Sequence, residues 1–143
     1  MSQVDLETSV GYLLKQASSA LHTAMDEVLR PLGMNITQYS CLELLAQRPG
    51  MSNSELARGA FVSRQSMNVL LQSMERDGYV TRPDQAPAGR ALPTQLTPLG
   101  RERLTAASAA VRGVEIRMNR GLDTAQQAAL RRLLAECITS LTT

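Results

Sequence analysis

Gln65, Asn68 and Gln72 stand three and four residues apart, a spacing that puts their carboxamides on one face of a helix. A carboxamide both donates and accepts, which matches the N6/N7 edge of adenine in the DNA major groove, and the guanidinium of nearby Arg64 matches O6/N7 of guanine. Met67, Leu70, Leu71 and Met74 form an apolar stripe along the same segment, so burying that stripe turns the four polar residues outward. A solvated helix face would have the same composition. The neighbouring segments decide between the two.

Ser52-Asn53-Ser54-Glu55 has the S-x-x-E form of a capping box ahead of Leu56 and Ala57. Gly59, Phe61 and Val62 mark a turn, Ser63 caps the next helix from Arg64 to about Asp77, and Gly78 provides a left-handed stop. Ser52 to Val80 therefore reads as a helix-turn-helix. Beyond it, Pro83, Pro87, Gly89 and Pro93 break any helix, and short strands near Tyr79–Arg82 and Leu92–Leu96 fit a hairpin wing. Pro93 makes the second strand an edge or irregular strand. The amide-rich start of the capped helix, with Ser52 and Ser54, can seat a backbone phosphate. Arg90 at the hairpin tip has the reach to enter a minor groove. Ser63, Ser66 and Arg76 complete the candidate DNA contacts.

Long amphipathic helices flank this unit. Apolar residues recur at helical spacing from about Leu6 to Leu32, where Pro31 and Gly33 close the pattern. Thr37 is positioned to cap a short inner helix that Pro49-Gly50 stops. Thr97-Pro98 opens a helix running to about Gly121, and Asp123 with Gln126 forms another capping box before a stripe of Leu130, Leu133, Leu134, Cys137, Ile138 and Leu141. The expected organisation is one domain over residues 1–143, with a DNA-binding lobe at 34–97 and dimerisation helices at 6–33 and 98–141. Apolar stripes at both ends of the chain need a partner, and a two-fold dimer would supply it while matching a two-fold duplex site.

Composition agrees with a mainly α-helical fold carrying a small β-hairpin. The 143 residues are 43% hydrophobic but only 3% aromatic, which suits helix packing by Leu, Val, Met and Ala. The net charge of +2 is small, yet it is unevenly placed. Residues 1–51 hold three basic against five acidic side chains, whereas residues 58–103 hold seven arginines against four carboxylates. His22 is the single histidine, and no Ser/His/acid set, glycine-rich phosphate loop or metal-ligand cluster is present, so no enzyme chemistry, cofactor or metal site is expected. Cys41 and Cys137 lie far apart on apolar helix faces and read as buried thiols in a reducing cytoplasm. No hydrophobic run suggests a signal peptide or membrane span.

The segment "MSNSELARGAFVSRQSMNVLLQSMERDGYVTR" and the later "GRALPTQLTPLGRERL", with Leu96-Thr97-x-x-Gly100, resemble the MarR family of winged helix-turn-helix regulators, over residues 10 to 141. The resemblance implies a homodimeric repressor on a pseudo-palindromic operator. Ser63–Asp77 would be its recognition helix, Arg90 its wing-tip arginine and the end helices its dimer interface. Ala88 stands where the family commonly has an aspartate that orients that arginine. The family also implies a phenolic or amphipathic inducer held between dimer helices and DNA-binding lobe, where the matching segments hold His22, Met25, Met34 and Tyr39. Two other readings stay open: a winged-helix module that binds protein, and a regulator that senses oxidants through Cys41 or Cys137.

Overall fold

The structure, a computed structural model, describes residues 2–82 and 93–143. Ser9 caps the first helix by accepting from the Tyr12 amide at 3.1 Å, so α1 runs Val10–Leu29 and begins later than the apolar pattern alone suggests. Pro31 has no amide to continue the α-helical ladder, and Arg30–Leu32 tightens into a 3-10 turn that ends on Gly33 at φ 70°.

The inner helix α2, Ile36–Gln47, is capped by Asn35 and not by the expected Thr37. Asn35 Oδ1 accepts from the Gln38 amide at 2.8 Å and Gln38 Oε1 accepts from the Asn35 amide at 2.9 Å, a reciprocal pair that Thr37 cannot form. The expected caps at Ser52, Ser63, Thr97 and Asp123 are all present, giving α3 (Asn53–Gly59), α4 (Arg64–Arg76), α5 (Pro98–Met118) and α6 (Thr124–Thr142). Gly78, at φ 84°, ends α4, and the Tyr79 amide returns to the Met74 carbonyl at 2.9 Å.

The wing is legible among the described residues as an antiparallel pair, β1 (Val80–Thr81) with β2 (Gln95–Leu96), in the register Val80 to Leu96 and Thr81 to Gln95. Thr94 extends the pairing sideways: its carbonyl accepts from Gly50 and its amide donates to Met51, each at 3.2 Å. The base of the wing is thereby tied to the loop that leads into α3.

The core lies where α2, α3 and α4 meet α5. Leu29, Cys41, Leu42, Leu45, Leu56, Met67, Leu71 and Met74 are buried there, joined by Leu104, Ala107 and Val111 of α5. The first half of α5 thus belongs to the same core as the residues before position 97. Two close approaches fix this packing. A Cβ on Gly100 would stand 2.1 Å from the Tyr79 carbonyl oxygen, and one on Gly59 would stand 2.8 Å from Leu44 Cδ1.

The arms are different. Only Ala24 and Leu29 of α1 are buried, and no residue of α6 is. Val10, Leu13 and Leu14 of α1, and Leu133, Ile138 and Leu141 of α6, face solvent in the single chain. Cys137 shares this position and is only half-buried, correcting the expectation of a core thiol, whereas Cys41 is buried as expected. The α6 stripe is thus left largely uncovered by the described residues of the same chain.

Candidate nucleic-acid interface

Burial of Met67, Leu71 and Met74 in the core, with α4 packed on α3, fixes the rotation of α4. Arg64, Gln65, Ser66, Gln72 and Arg76 are consequently exposed, and Leu70 is half-buried beside the core. The expected outward set is therefore realised, with one refinement. Asn68 is half-buried, and its Oδ1 accepts from Asn53 Nδ2 across the helix-turn-helix at 3.3 Å. The free edge of the Asn68 amide is its NH2 group, a donor.

The serines divide into capping and exposed groups. Ser63 Oγ accepts from the Ser66 amide at 3.0 Å and donates to Ser66 Oγ at 2.9 Å, so the Ser63 hydroxyl is used within the helix start. Ser66 keeps its own hydroxyl proton for an outside acceptor. Ser52 Oγ accepts from the Glu55 amide at 3.2 Å, and Glu55 Oε1 accepts from the Ser52 amide at 3.0 Å. That backbone bond from Ser52, followed by the Ser52 hydroxyl, holds the Glu55 carboxyl below its usual range. The box thus places a carboxylate at the start of α3 and occupies the amides of Ser52 and Glu55. The Asn53 and Ser54 amides have no acceptor among the described residues.

Not all the arginines counted in the basic segment are available. Arg82 is mostly buried and donates to Glu75 at 3.3 Å. Arg103 donates to the Leu32 carbonyl at 2.5 Å and lies 5.7 Å from the centroid of the Tyr79 ring, which ties α5 to the turn after α1. These two guanidinium groups support the fold. Arg58, Arg64, Arg76 and Arg101 remain exposed around α3, α4 and the start of α5. Arg90, and with it Ala88 and the wing tip, lies outside the described residues.

Sequence reasoning overlooked three features of this surface. Asn53 is the partner that orients Asn68, and its first-turn position in α3 gave no hint of a contact fifteen residues away. Phe61, in the turn between α3 and α4, is 94% exposed at φ 60°, a left-handed conformation costly for a residue with a Cβ. Val69 is 61% exposed on the outer face of α4. Its spacing from Gln65 and Gln72 was sufficient to place it there.

Of the four ligand candidates, two border separate cavities in the single chain. Met34 borders one small cavity near Arg103, and Tyr39 borders another with Glu43 and Gly59. Tyr39 Oη donates to Glu43 Oε2 at 2.7 Å; burial first, then the Glu43 carboxylate, raises the phenol above its ordinary range. His22 is exposed and Met25 half-buried on α1. A cleft of about 210 Å³ between α1 and α5 is lined instead by Ala17, Ala20, Leu21, Ala24, Val114, Arg117 and Met118. No group of three or more His, Cys, Asp or Glu side chains among the described residues could hold a metal ion. No described helix is long and apolar enough to cross a membrane.

The sequence model of the MarR family matches residues 32–91. The HTH-type transcriptional repressor Rv2887 of Mycobacterium tuberculosis is 38% identical over 128 residues, covering 90% of this chain and 92% of the relative. Its crystal structure in complex with DNA superposes at a TM-score of 0.75, with 35% identity over 91% of this chain and 98% of that one. Its crystal structure in complex with salicylic acid gives the same TM-score of 0.75, with 38% identity over 91% of this chain and 96% of that one.

Proposed function

The chain belongs to the MarR family, and on that premise we propose that it is a dimeric DNA-binding transcriptional repressor whose operator affinity is lowered by a small amphipathic ligand. The observation that carries this reading is the exposed row Gln65, Ser66 and Gln72 on α4, opposite the buried row Met67, Leu71 and Met74. A helix anchored on one side by the core and offering carboxamides on the other is built to enter a major groove. Arg64 and Arg76 at its ends, and Arg58 beside it, supply charge for the flanking phosphates. In this reading residues 34–97 form the DNA-binding lobe, while residues 6–33 and 98–141 carry dimerisation, with the first half of α5 joining the two.

A second copy of the chain accounts for the uncovered stripes of α1 and α6. In such a dimer two α4 helices would face successive major grooves roughly 34 Å apart. The relative's DNA complex supports duplex DNA as the partner, and its salicylic acid complex supports a small aromatic acid as the class of inducer. The cleft between α1 and α5 suits such a ligand: its walls are apolar, and Arg117 offers one guanidinium to a carboxylate. A ligand there would act only through its difference in affinity for the DNA-competent and released separations of the lobes. A complete switch needs a preference of about ten-thousandfold.

Fluorescence anisotropy of a duplex selected from the source genome, at 50 and 200 mM salt, tests the proposal. Neutralisation of phosphates by both subunits predicts an affinity loss of about a thousandfold between the two conditions. Salt-insensitive or absent binding would instead favour a protein-binding module.

A further inference from the structure

Val69 stands in the middle of the outward face of α4, with Gln65 one turn before it and Gln72 one turn after it. Ser66 and Ser73 complete the ring of neighbours at three and four residues' distance, so none of the side chains around Val69 carries a charge. Arg64 and Arg76 lie at the two ends of the helix. At 61% exposure, Val69 contributes little to the core that Met67, Leu71 and Met74 build on the other side.

Among the described residues nothing rewards a valine at this position. A β-branched side chain is a weaker helix former than alanine, glutamine or arginine, and an apolar surface held in water gains no burial. Burial would come from the groove. Of the four bases, only thymine presents an apolar group on the major-groove edge, its 5-methyl, and a small apolar side chain is the complement to it. Building on the DNA-binding reading above, we propose that Val69 is a specificity-determining residue that packs against a thymine 5-methyl group in each operator half-site. Gln65 and Gln72, on either side of Val69, are placed to bond adenine edges of the same or adjoining base pairs. The uncharged centre of α4 then selects an A·T-containing step, while the arginines at its ends hold the backbone.

The test replaces each thymidine of a selected operator, one position at a time, by deoxyuridine, which removes the methyl and leaves pairing and the O4 acceptor intact. Affinities of the wild-type dimer and of Val69→Ala are measured by anisotropy at fixed salt. Wild type is expected to lose roughly fourfold in affinity at one thymidine per half-site, the value of burying a methyl-sized apolar group. Val69→Ala is expected to bind the thymidine duplex more weakly and to become indifferent to deoxyuridine at that position alone. Alanine is the better helix former at an exposed site, so this variant keeps its fold, as thermal unfolding will verify. Selective binding with no methyl-sensitive position, or a Val69→Ala protein as methyl-sensitive as wild type, overturns this proposal and leaves the regulator reading intact. A wild-type protein that discriminates among no duplexes overturns both.

Discussion

Asn53 Nδ2 donates to Asn68 Oδ1 at 3.3 Å and so sets which edge of the Asn68 amide faces outward from α4. Asn53 Oδ1 is itself buried without a partner, so truncating Asn53 removes an unsatisfied acceptor together with one hydrogen bond. Asn53→Ala should therefore change stability by no more than about 1 kcal/mol. Its effect should fall on recognition: with Asn68 free to turn either edge outward, discrimination at the base it faces should relax. Competition with singly substituted operators checks this, and an unchanged preference at every position would contradict it.

Gly100 and Thr97 join α5 to the end of the helix-turn-helix. The Thr97 hydroxyl donates to the Gly78 carbonyl at 2.6 Å and accepts from the Gly100 amide at 3.0 Å, while Gly100 lies directly over the Tyr79 carbonyl. Gly100→Ala forces backbone apart from backbone and should cost about 3 kcal/mol, read as a lower urea midpoint with an unchanged slope. Thr97→Val, which removes a cap and leaves its partners unpaired, should cost about 1–2 kcal/mol.

Phe61→Gly should stabilise the protein. The left-handed backbone at φ 60° costs a non-glycine residue about 1–2 kcal/mol, and a ring that is 94% exposed gives little packing in return. The greater freedom of glycine in the unfolded chain offsets about 0.5–1 kcal/mol of this. A net gain of up to about 1.5 kcal/mol, visible as a Tm higher by a few degrees, is expected. A lower Tm would show that the ring is held by contacts within the protein.

Burial pushes the Cys41 thiol up to about 12 from an ordinary 9.0, so it holds its proton in the folded chain. The associated stability is complete below pH 9 and is lost as pH rises towards 12, by up to about 1.4 kcal/mol per unit. Between pH 8 and 10, wild type should lose about 1 kcal/mol more than Cys41→Ala in urea titrations. Low thiolate content also makes Cys41 a poor oxidant sensor. In Cys137→Ser protein, a thiol reagent at pH 8 should find no reactive group before unfolding, and peroxide should leave DNA binding intact.

The parts of this structure legible from sequence are those set by short-range contacts. Ser52, Ser63, Thr97 and Asp123 each cap an amide three residues ahead, a relation written in the local sequence. At the start of α2 the expectation of Thr37 fell to Asn35, because the reciprocal bond needs a partner three residues on and Gln38 supplies it. The apolar spacing of α4 likewise fixed which side faces outward. Arg82 and Arg103 were counted as available charge because their partners, Glu75 and the distant Leu32 carbonyl, are set by packing. Met34 and Tyr39 border separate cavities in the single chain, a consequence of packing that spacing along the sequence does not show. Small alanines along α1, unremarkable in sequence, create the cleft against α5.

The central claim is that the exposed carboxamides of α4 read bases. It is tested most directly by the ratio of affinities for a selected operator and a scrambled duplex of equal length, in wild type and in Gln65→Ala/Gln72→Ala. Both substitutions lie on the exposed face and leave the core intact. Loss of about 1–3 kcal/mol of discrimination per bidentate contact predicts a ratio reduced at least tenfold in the double variant, with scrambled-duplex affinity and its salt dependence unchanged. A double variant that keeps the wild-type ratio would contradict the account.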